Sequence, residues 1–242
     1  LKFDPTSNEI ASFLSLGFIP NGGTGYNSLR VIEPAKLIVF NSPLDSVETT
    51  YWSIDNIETR GQLNSNFIDD FLNILIESIK IRMRSDVPIG VFLSSGIDSS
   101  LIAAICSKEL KKTISSFTIS FEGKEDESPN AKRIADYLGI PNKIIPFENK
   151  KGNKKLLESL CDLYGVPNDN TASYNIFEMS KLAKNYVSVI LSGIGGDEVA
   201  LGYNKYKFVA KNKFFYHLPD TITKFVYKVL RSKNPINFFS GK

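Results

Sequence analysis

The sequence predicts an α/β fold in which a parallel sheet carries helices on both faces. Between residues 87 and 193, apolar runs of strand length alternate with segments whose apolar residues recur at helical spacing. This alternation is typical of parallel sheets, because the crossover between two parallel strands usually contains a helix. The run VPIGVFL at 87–93 is apolar rather than alternating, which indicates a strand buried on both faces.

Size and composition are those of an ordinary globular protein. The chain has 242 residues, of which 42% are hydrophobic and 23% are charged. Its net charge of +3 is too small to indicate a nucleic-acid or membrane partner. No apolar run approaches the ~20 residues that a membrane-spanning helix needs. His217 is the only histidine, which disfavours His-based triads and multi-histidine metal sites.

The two cysteines, Cys106 and Cys161, have no metal-like spacing and fall on the apolar sides of predicted helices. We therefore expect buried, reduced thiols and a cytoplasmic protein. The chain begins with Leu1 rather than Met and has no signal-peptide pattern, so we also expect it to be part of a longer protein.

Before the alternating region the predicted elements are few. Residues 1–52 contain a short helix over 10–16, the glycine-rich loop PNGGTGYNS and the strand KLIVF, and a polar connector follows at 53–64. From Phe67 onward, apolar residues recur at every fourth position, which predicts a helix. Asn66 is placed to cap that helix.

The alternating region is predicted to contain four strands with helices between them. Ser128 is expected to cap a helix with Pro129 at its first position and Gly139 just past its end. Beyond the last strand the chain is predicted to be helical, with a segment beginning at Asp220 or Thr221. The predicted strands are 87–93, 114–121, 143–147 and 187–191, and the remaining predicted helices are 102–110, 153–164 and 174–185.

A loop rich in small residues follows the first of these strands. The helix after it offers free amides and a positive dipole end, which suit a phosphate, and the serine hydroxyls add donors. Asp98 would repel a bare phosphate, so it fits best as a ligand of Mg²⁺ held against phosphate oxygens. The alternative is a plain turn with an acid in the first helical turn. The loop consists of Ser94, Ser95, Gly96, Ile97, Asp98, Ser99 and Ser100.

A second unusual loop, LSGIGGDE at 191–198, follows the last predicted strand. Ligands of open parallel sheets bind at the carboxyl ends of the strands, where both loops are predicted to lie. Asp98 and Asp197 are therefore expected to share one or two metal ions over a triphosphate. A glycine turn before a helix is the alternative.

Three other charged residues are candidates of lower priority. Asp126 and Glu127 stand just before a predicted helix, where we expect solvated capping acids, with metal or nucleotide positioning as the alternative. Lys205, in GYNKY, either contacts phosphate or is a surface lysine.

Three stretches in this order resemble the synthetase domain of glutamine-hydrolysing asparagine synthetases. They are RSDVPIGVFLSSGIDSS, SFTISFEGKEDESPNAKRIADYLGI and VILSGIGGDEVALGYNKY. The first is similar to the SGGxDS pyrophosphate loop of N-type ATP pyrophosphatases, whose fold is adenine-nucleotide α-hydrolase-like. The other two narrow the resemblance to the asparagine synthetase group. Residues 1–52, with LGFIPNGGTGY, IEPAKL and Tyr51-Trp52, resemble the end of that family's glutaminase domain.

The resemblance implies domains at 1–52 and 65–242, the second incomplete at its C-terminal end, with a linker at 53–64. It implies that ATP activates the side-chain carboxylate of aspartate as an adenylate, that pyrophosphate leaves, and that ammonia from glutamine then displaces AMP. The loop from Ser94 to Ser100 would hold pyrophosphate, with Asp98 and Asp197 on Mg²⁺. The residues expected to line the adenosine are Leu93, Ile119, Ser192 and Gly193.

Three departures from the family pattern qualify what the resemblance implies. Ser95 replaces the first glycine of the loop and fits only with a negative φ. Ile194 stands where many members carry an acid, which leaves open another acceptor, such as a sugar acid. The N-terminal cysteine nucleophile and the later lysine-bearing segment are expected to lie outside this chain, which should bind nucleotide better than it turns over.

Two further alternatives remain open, a tRNA-modifying relative and a non-catalytic nucleotide-binding relative. A homodimer is also left open, and we expect no nucleic-acid or membrane partner. The predicted substrates are small molecules: ATP, a carboxylic acid and glutamine-derived ammonia.

Overall fold

A computed structural model describes the chain as two compact units, residues 1–192 and residues 193–242, and each unit is described by itself. The described residues are 2, 4–26, 28–58, 65–123, 126–147, 154–165, 170 and 172–211. The predicted helix that begins at Asp220 or Thr221 lies outside them.

The N-terminal part contains one helix and a hairpin. Helix α1 is Ser7–Leu16, and a reciprocal capping box begins it, because the Glu9 amide donates to Thr6 Oγ1 at 3.2 Å and the Thr6 amide donates to Glu9 Oε2 at 2.8 Å. Strands β1 (Lys36–Ser42) and β2 (Asp45–Thr50) pair antiparallel. The helix and β1 confirm the prediction, whereas the polar strand β2 was missed.

The main sheet has four parallel strands, as predicted. They are β3 (Ile89–Phe92), β4 (Ser115–Ser120), β5 (Asn142–Pro146) and β6 (Val189–Leu191), in the spatial order β5-β4-β3-β6. Strand β3 is the first of these strands in the sequence but lies inside the sheet, because its residue Val91 lies opposite Ser116 of β4 and Leu191 of β6.

Five helices of the first unit follow the predicted pattern. Helix α3 continues into a π-helical turn at Ile105–Glu109, so that one apolar face runs on to Leu110. The helices are α2 (Phe67–Arg82), α3 (Ile97–Ala104), α4 (Ser128–Leu138), α5 (Lys154–Tyr164) and α6 (Ala172–Ala183). The described part of the second unit contains α7 (Gly196–Ala200) and α8 (Asn204–Lys211).

Alternate residues of the central strand enter two different apolar clusters. Val91 and Leu93 pack with Ala103 of α3 and the alanines of α4, whereas Phe92 packs with Phe117 and with Ala183 of α6. Because successive side chains of a strand point to opposite faces, the two clusters lie on the two faces of the sheet. This confirms the predicted sheet with helices on both faces.

Three local predictions were wrong. Asn66 holds the N-cap position of α2, but its side chain makes no capping hydrogen bond. Ser128 is the first residue of α4 rather than its cap, and Glu127 precedes it at the N-cap position. Cys161 is exposed, since only Leu160 of α5 is fully buried.

Cys106 is buried as predicted, and burial raises the pKa of its thiol to about 11. This thiol is therefore protonated and unreactive at neutral pH. In the described part of the chain, no helix combines the length and apolar character that crossing a membrane requires.

Candidate functional site

The end of β3 is held in place by hydrogen bonds to the neighbouring strand. The Leu93 amide donates to the Phe117 carbonyl at 2.9 Å, and the Thr118 hydroxyl donates to the Leu93 carbonyl at 2.8 Å. Leu93 is only 2% exposed. The first residue of the following loop, Ser94, therefore starts from a fixed position at the carboxyl edge of the sheet.

The loop is shaped by the side chains of two of its own serines. The Ser94 amide donates to Ser99 Oγ at 3.1 Å, and the two hydroxyl oxygens are 2.9 Å apart. The Gly96 amide donates to Ser94 Oγ at 3.1 Å. Ser99 is buried. Sequence reasoning assigned both serines as phosphate donors, and the structure adds a role for their hydroxyls in holding the loop together.

Helix α3 begins without a side-chain cap. Gly96 occupies its N-cap position in an extended conformation, and the first helical bond runs from the Ser100 amide to the Gly96 carbonyl at 3.2 Å. The amides of Ile97, Asp98 and Ser99 open the helix and therefore have no carbonyl partner within it. An anion is the natural partner of such a group of amides.

The remaining loop residues differ in their surroundings. Ile97 is 83% exposed, Asp98 is half-buried in the first turn of α3, and the Ser100 hydroxyl donates back to the Gly96 carbonyl at 2.7 Å. Among the described non-glycine residues, only Asn21, Ala35, Lys111 and Leu201 have a positive φ. Ser95 therefore has a negative φ. This confirms that serine fits in place of the family's glycine.

The side chain of Glu127 contacts the loop, which the sequence did not predict. The alternative predicted for Glu127, metal or nucleotide positioning, stays a prediction. The Glu127 Oε2 accepts the Ser95 amide at 3.1 Å, across 32 residues of sequence. The expected capping role belongs to its neighbour Asp126, which accepts the Ser128 amide at 3.0 Å and the Ser128 hydroxyl at 2.8 Å. Asp126 also accepts the Phe121 amide at 3.3 Å.

These hydrogen bonds, first the one from the Ser128 amide, lower the pKa of the Asp126 carboxyl. A depressed folded-state pKa contributes stability that is present above the unfolded-state pKa and is lost as the pH falls through the folded-state pKa. We therefore expect Asp126→Asn to destabilise the protein at pH 7, and the difference from wild type to shrink as the pH falls below about 4. Urea unfolding at several pH values measures this. Asp86→Asn, at an exposed aspartate, is the control, and a difference that does not vary with pH would contradict the prediction.

Three of the four residues expected to line the adenosine belong to the first unit, and these three lie along one edge of the sheet. Leu93 follows β3, Ile119 stands near the carboxyl end of β4 opposite Ile145, and Ser192 follows β6. Since the strands are parallel, these three positions share the edge that carries the loop before α3. Gly193 belongs to the second unit.

In the second unit, Asp197 and Glu198 occupy the first turn of α7, after Gly195 with a φ of 100°. The Gly202 amide donates to the Asp197 carbonyl at 2.9 Å. A Cβ at Gly202 would overlap the Asp197 carboxylate, so this glycine makes room for the side chain. Nothing in the spacing alone had assigned Gly202 that role.

The polar and charged side chains that follow Asp197 in the sequence interact with one another. The Tyr203 hydroxyl donates to Glu198 Oε1 at 2.8 Å, which lowers the pKa of Glu198 and raises the pKa of Tyr203 to about 12. Lys205 Nζ lies 4.6 Å from the Tyr203 ring centroid and 5.2 Å from that of Tyr206. Of the two predictions for Lys205, this favours the surface lysine.

The chemistry of the predicted metal ligands suits magnesium. Among the described residues no three Asp, Glu, Cys or His side chains group together. Mg²⁺ is commonly held by one or two carboxylates together with substrate phosphates and water, so it does not require such a group. Asp98 and Asp197 belong to different units, and their sharing of a metal ion stays a prediction.

Comparison with known proteins shows which family this chain resembles in sequence. The sequence profile described as asparagine synthase matches residues 70–238. A protein named putative asparagine synthetase [glutamine-hydrolyzing] 2 from Methanocaldococcus jannaschii is 32% identical over 97% of this chain and 45% of its own length. Asparagine synthetase [glutamine-hydrolyzing] 1 from Bacillus subtilis is 30% identical over 91% of this chain and 34% of its own. The chain thus spans less than half the length of these relatives.

Among solved structures, the glutamine-dependent NAD⁺ synthetase from Acinetobacter baumannii is similar over 66% of this chain and 32% of its own, with a TM-score of 0.42 and 18% identity. The family assignment depends on the sequence profile instead. That profile covers more than half of the residues and includes both the loop at 94–100 and the loop at 191–198. The chain belongs to the asparagine synthase family.

Proposed function

We propose that this chain is the nucleotide-binding part of a ligase that amidates a carboxylate at the expense of ATP. The most favoured acceptor is aspartate, which would form a β-aspartyl-AMP intermediate with release of pyrophosphate. Ammonia derived from glutamine would then displace AMP and give asparagine. Family membership supports this reaction class, and both relatives described above are named as asparagine synthetases, one of them as a putative one.

One observation carries the proposal, namely the uncapped start of α3 at the carboxyl end of a buried parallel strand. The pyrophosphate part of ATP would lie against the amides of Ile97, Asp98 and Ser99, where the helix dipole favours negative charge. The hydrogen bonds between Ser94 and Ser99 would keep these amides in position, so that little ordering is needed on binding.

The remaining proposed roles are those that the family resemblance implies. Backbone groups of Leu93, Ile119, Ser192 and Gly193 would line the adenosine. Asp98 and Asp197 would hold Mg²⁺, which neutralises charge on the phosphate oxygens when it is bound. Gly202 leaves room for the Asp197 carboxylate and so supports its proposed role.

We propose the same domain division as the sequence indicated, with the end of a glutamine amidotransferase-like domain at 1–52, a linker at 53–64 and the ATP-binding domain from residue 65. The proposed location is cytoplasmic. The exposed Ile194, 72% accessible, stands where an acid is common in the family. Because of this difference, we keep a second candidate for the carboxylate that is amidated, namely a sugar acid.

Calorimetric titration of this chain with ATP tests the proposal. We expect ATP to bind in the presence of Mg²⁺ and GTP·Mg²⁺ to bind more weakly, because backbone groups at the proposed adenosine site would recognise one base edge. No binding of ATP·Mg²⁺ at millimolar concentration would contradict the proposal. Preferential binding of RNA, with an affinity that falls steeply with salt, would favour a tRNA-modifying relative instead.

A further inference from the structure

The hydrogen bond between Glu127 and Ser95 joins the start of α4 to the loop before α3. The carboxylate oxygen accepts an amide of the same loop that is proposed to bind pyrophosphate. A carboxylate oxygen and a phosphate oxygen are both anionic hydrogen-bond acceptors. The Glu127 carboxylate therefore accepts from the Ser95 amide the hydrogen bond that a phosphate oxygen would accept.

The backbone of Glu127 is fixed relative to the loop. On one side Asp126 holds the amides of Phe121 and Ser128, and on the other the Glu127 carbonyl accepts the Ala131 amide at 3.0 Å. Helices α3 and α4 belong to one apolar cluster, in which Ala103 and Ala131 are fully buried. The side chain of Glu127 therefore starts from a defined backbone position beside the loop.

We propose that Glu127 is an internal anion that occupies the pyrophosphate loop until substrate arrives, and that it makes the loop selective for magnesium-bound over metal-free polyphosphate. This inference rests on the proposed function. A polyphosphate seated on the loop competes with Glu127 for the Ser95 amide and meets its negative charge, in addition to that of Asp98. Magnesium reduces the charge of the incoming ligand and so reduces this repulsion.

The test uses inorganic pyrophosphate as the probe, with the 242-residue chain titrated in the presence of Mg²⁺ and in the presence of a chelator. The variant is Glu127→Gln, which keeps an oxygen that can accept the Ser95 amide but removes the charge. The matched control is Glu122→Gln, which removes an exposed carboxylate from the same β4–α4 connection. A thermal melt checks that each variant is folded.

We expect Glu127→Gln to raise the affinity for metal-free pyrophosphate about tenfold, because a like charge near a multiply charged ligand is removed. The affinity for magnesium pyrophosphate should change less, and Glu122→Gln should leave both affinities unchanged. A structural role alone would not alter the ratio of the two affinities.

Two results would overturn the inference while leaving the proposed function standing. One is that the wild type binds magnesium pyrophosphate while wild type and Glu127→Gln have the same affinity for metal-free pyrophosphate. The other is a loss of affinity only when Mg²⁺ is present, which would make Glu127 a metal ligand. Failure of the wild-type chain to bind magnesium pyrophosphate at all would overturn both the inference and the proposed function.

Discussion

Asp98→Asn is expected to lower the affinity for ATP·Mg²⁺ about a hundredfold, which corresponds to about 2.7 kcal/mol. Asp98 is the only acid in the first turn of α3, the helix whose amides are proposed to bind the phosphates. Asparagine keeps the shape of the side chain but removes the charge that a hard divalent cation requires. Without Mg²⁺ the affinity for ATP should rise slightly, because the carboxylate then only repels the phosphates.

Calorimetric titration with and without Mg²⁺ separates these two effects. Asp69→Asn is the matched control, because Asp69 also lies in the first turn of a helix, α2, but away from the loop. It should leave the affinity for ATP unchanged under both conditions. Equal affinity of wild type and Asp98→Asn for ATP·Mg²⁺ would remove the metal-binding role of Asp98.

Sheet and loop were predictable because their signals are local. A buried strand has to be apolar, and a helix that follows it has to keep an apolar stripe, so β3 and α3 are visible in the sequence whatever surrounds them. The loop between them combines small residues, a glycine and an acid within a few positions, so the sequence alone was enough to predict it as a candidate phosphate-binding loop. Its negative φ at Ser95 also followed from local sterics.

The contact of Glu127 with Ser95 was not predictable in the same way. It depends on how α3 and α4 pack through alanines that are far apart in sequence, and no periodic pattern encodes that distance. Strand β2 illustrates the opposite case. All six of its residues are exposed and five of them are polar, so its sequence lacks the apolar pattern of a buried strand and the strand is defined by its pairing with β1.

Ser99→Ala is expected to affect both stability and ligand binding, because one buried hydroxyl organises the whole loop. Removing it leaves the Ser94 amide without the acceptor it has at 3.1 Å, which costs about 1–3 kcal/mol of unfolding free energy. The Ser94 hydroxyl also loses a partner at 2.9 Å, and with it the geometry that it imposes on the Gly96 amide. We expect ATP·Mg²⁺ to bind about tenfold more weakly, since the loop must then be ordered by the ligand.

Urea unfolding and nucleotide titration of the same variant measure the two effects. Ser107→Ala is the control, because the Ser107 hydroxyl donates at 2.7 Å to the Ala103 carbonyl in the same helical segment, outside the loop. That substitution should change stability by less than about 0.5 kcal/mol and leave the nucleotide affinity unaltered. If Ser99→Ala matched this control in both measurements, the loop would be held by the ends of β3 and α3 alone. Ser99 would then have neither an organising role in the loop nor a direct contact with the phosphates.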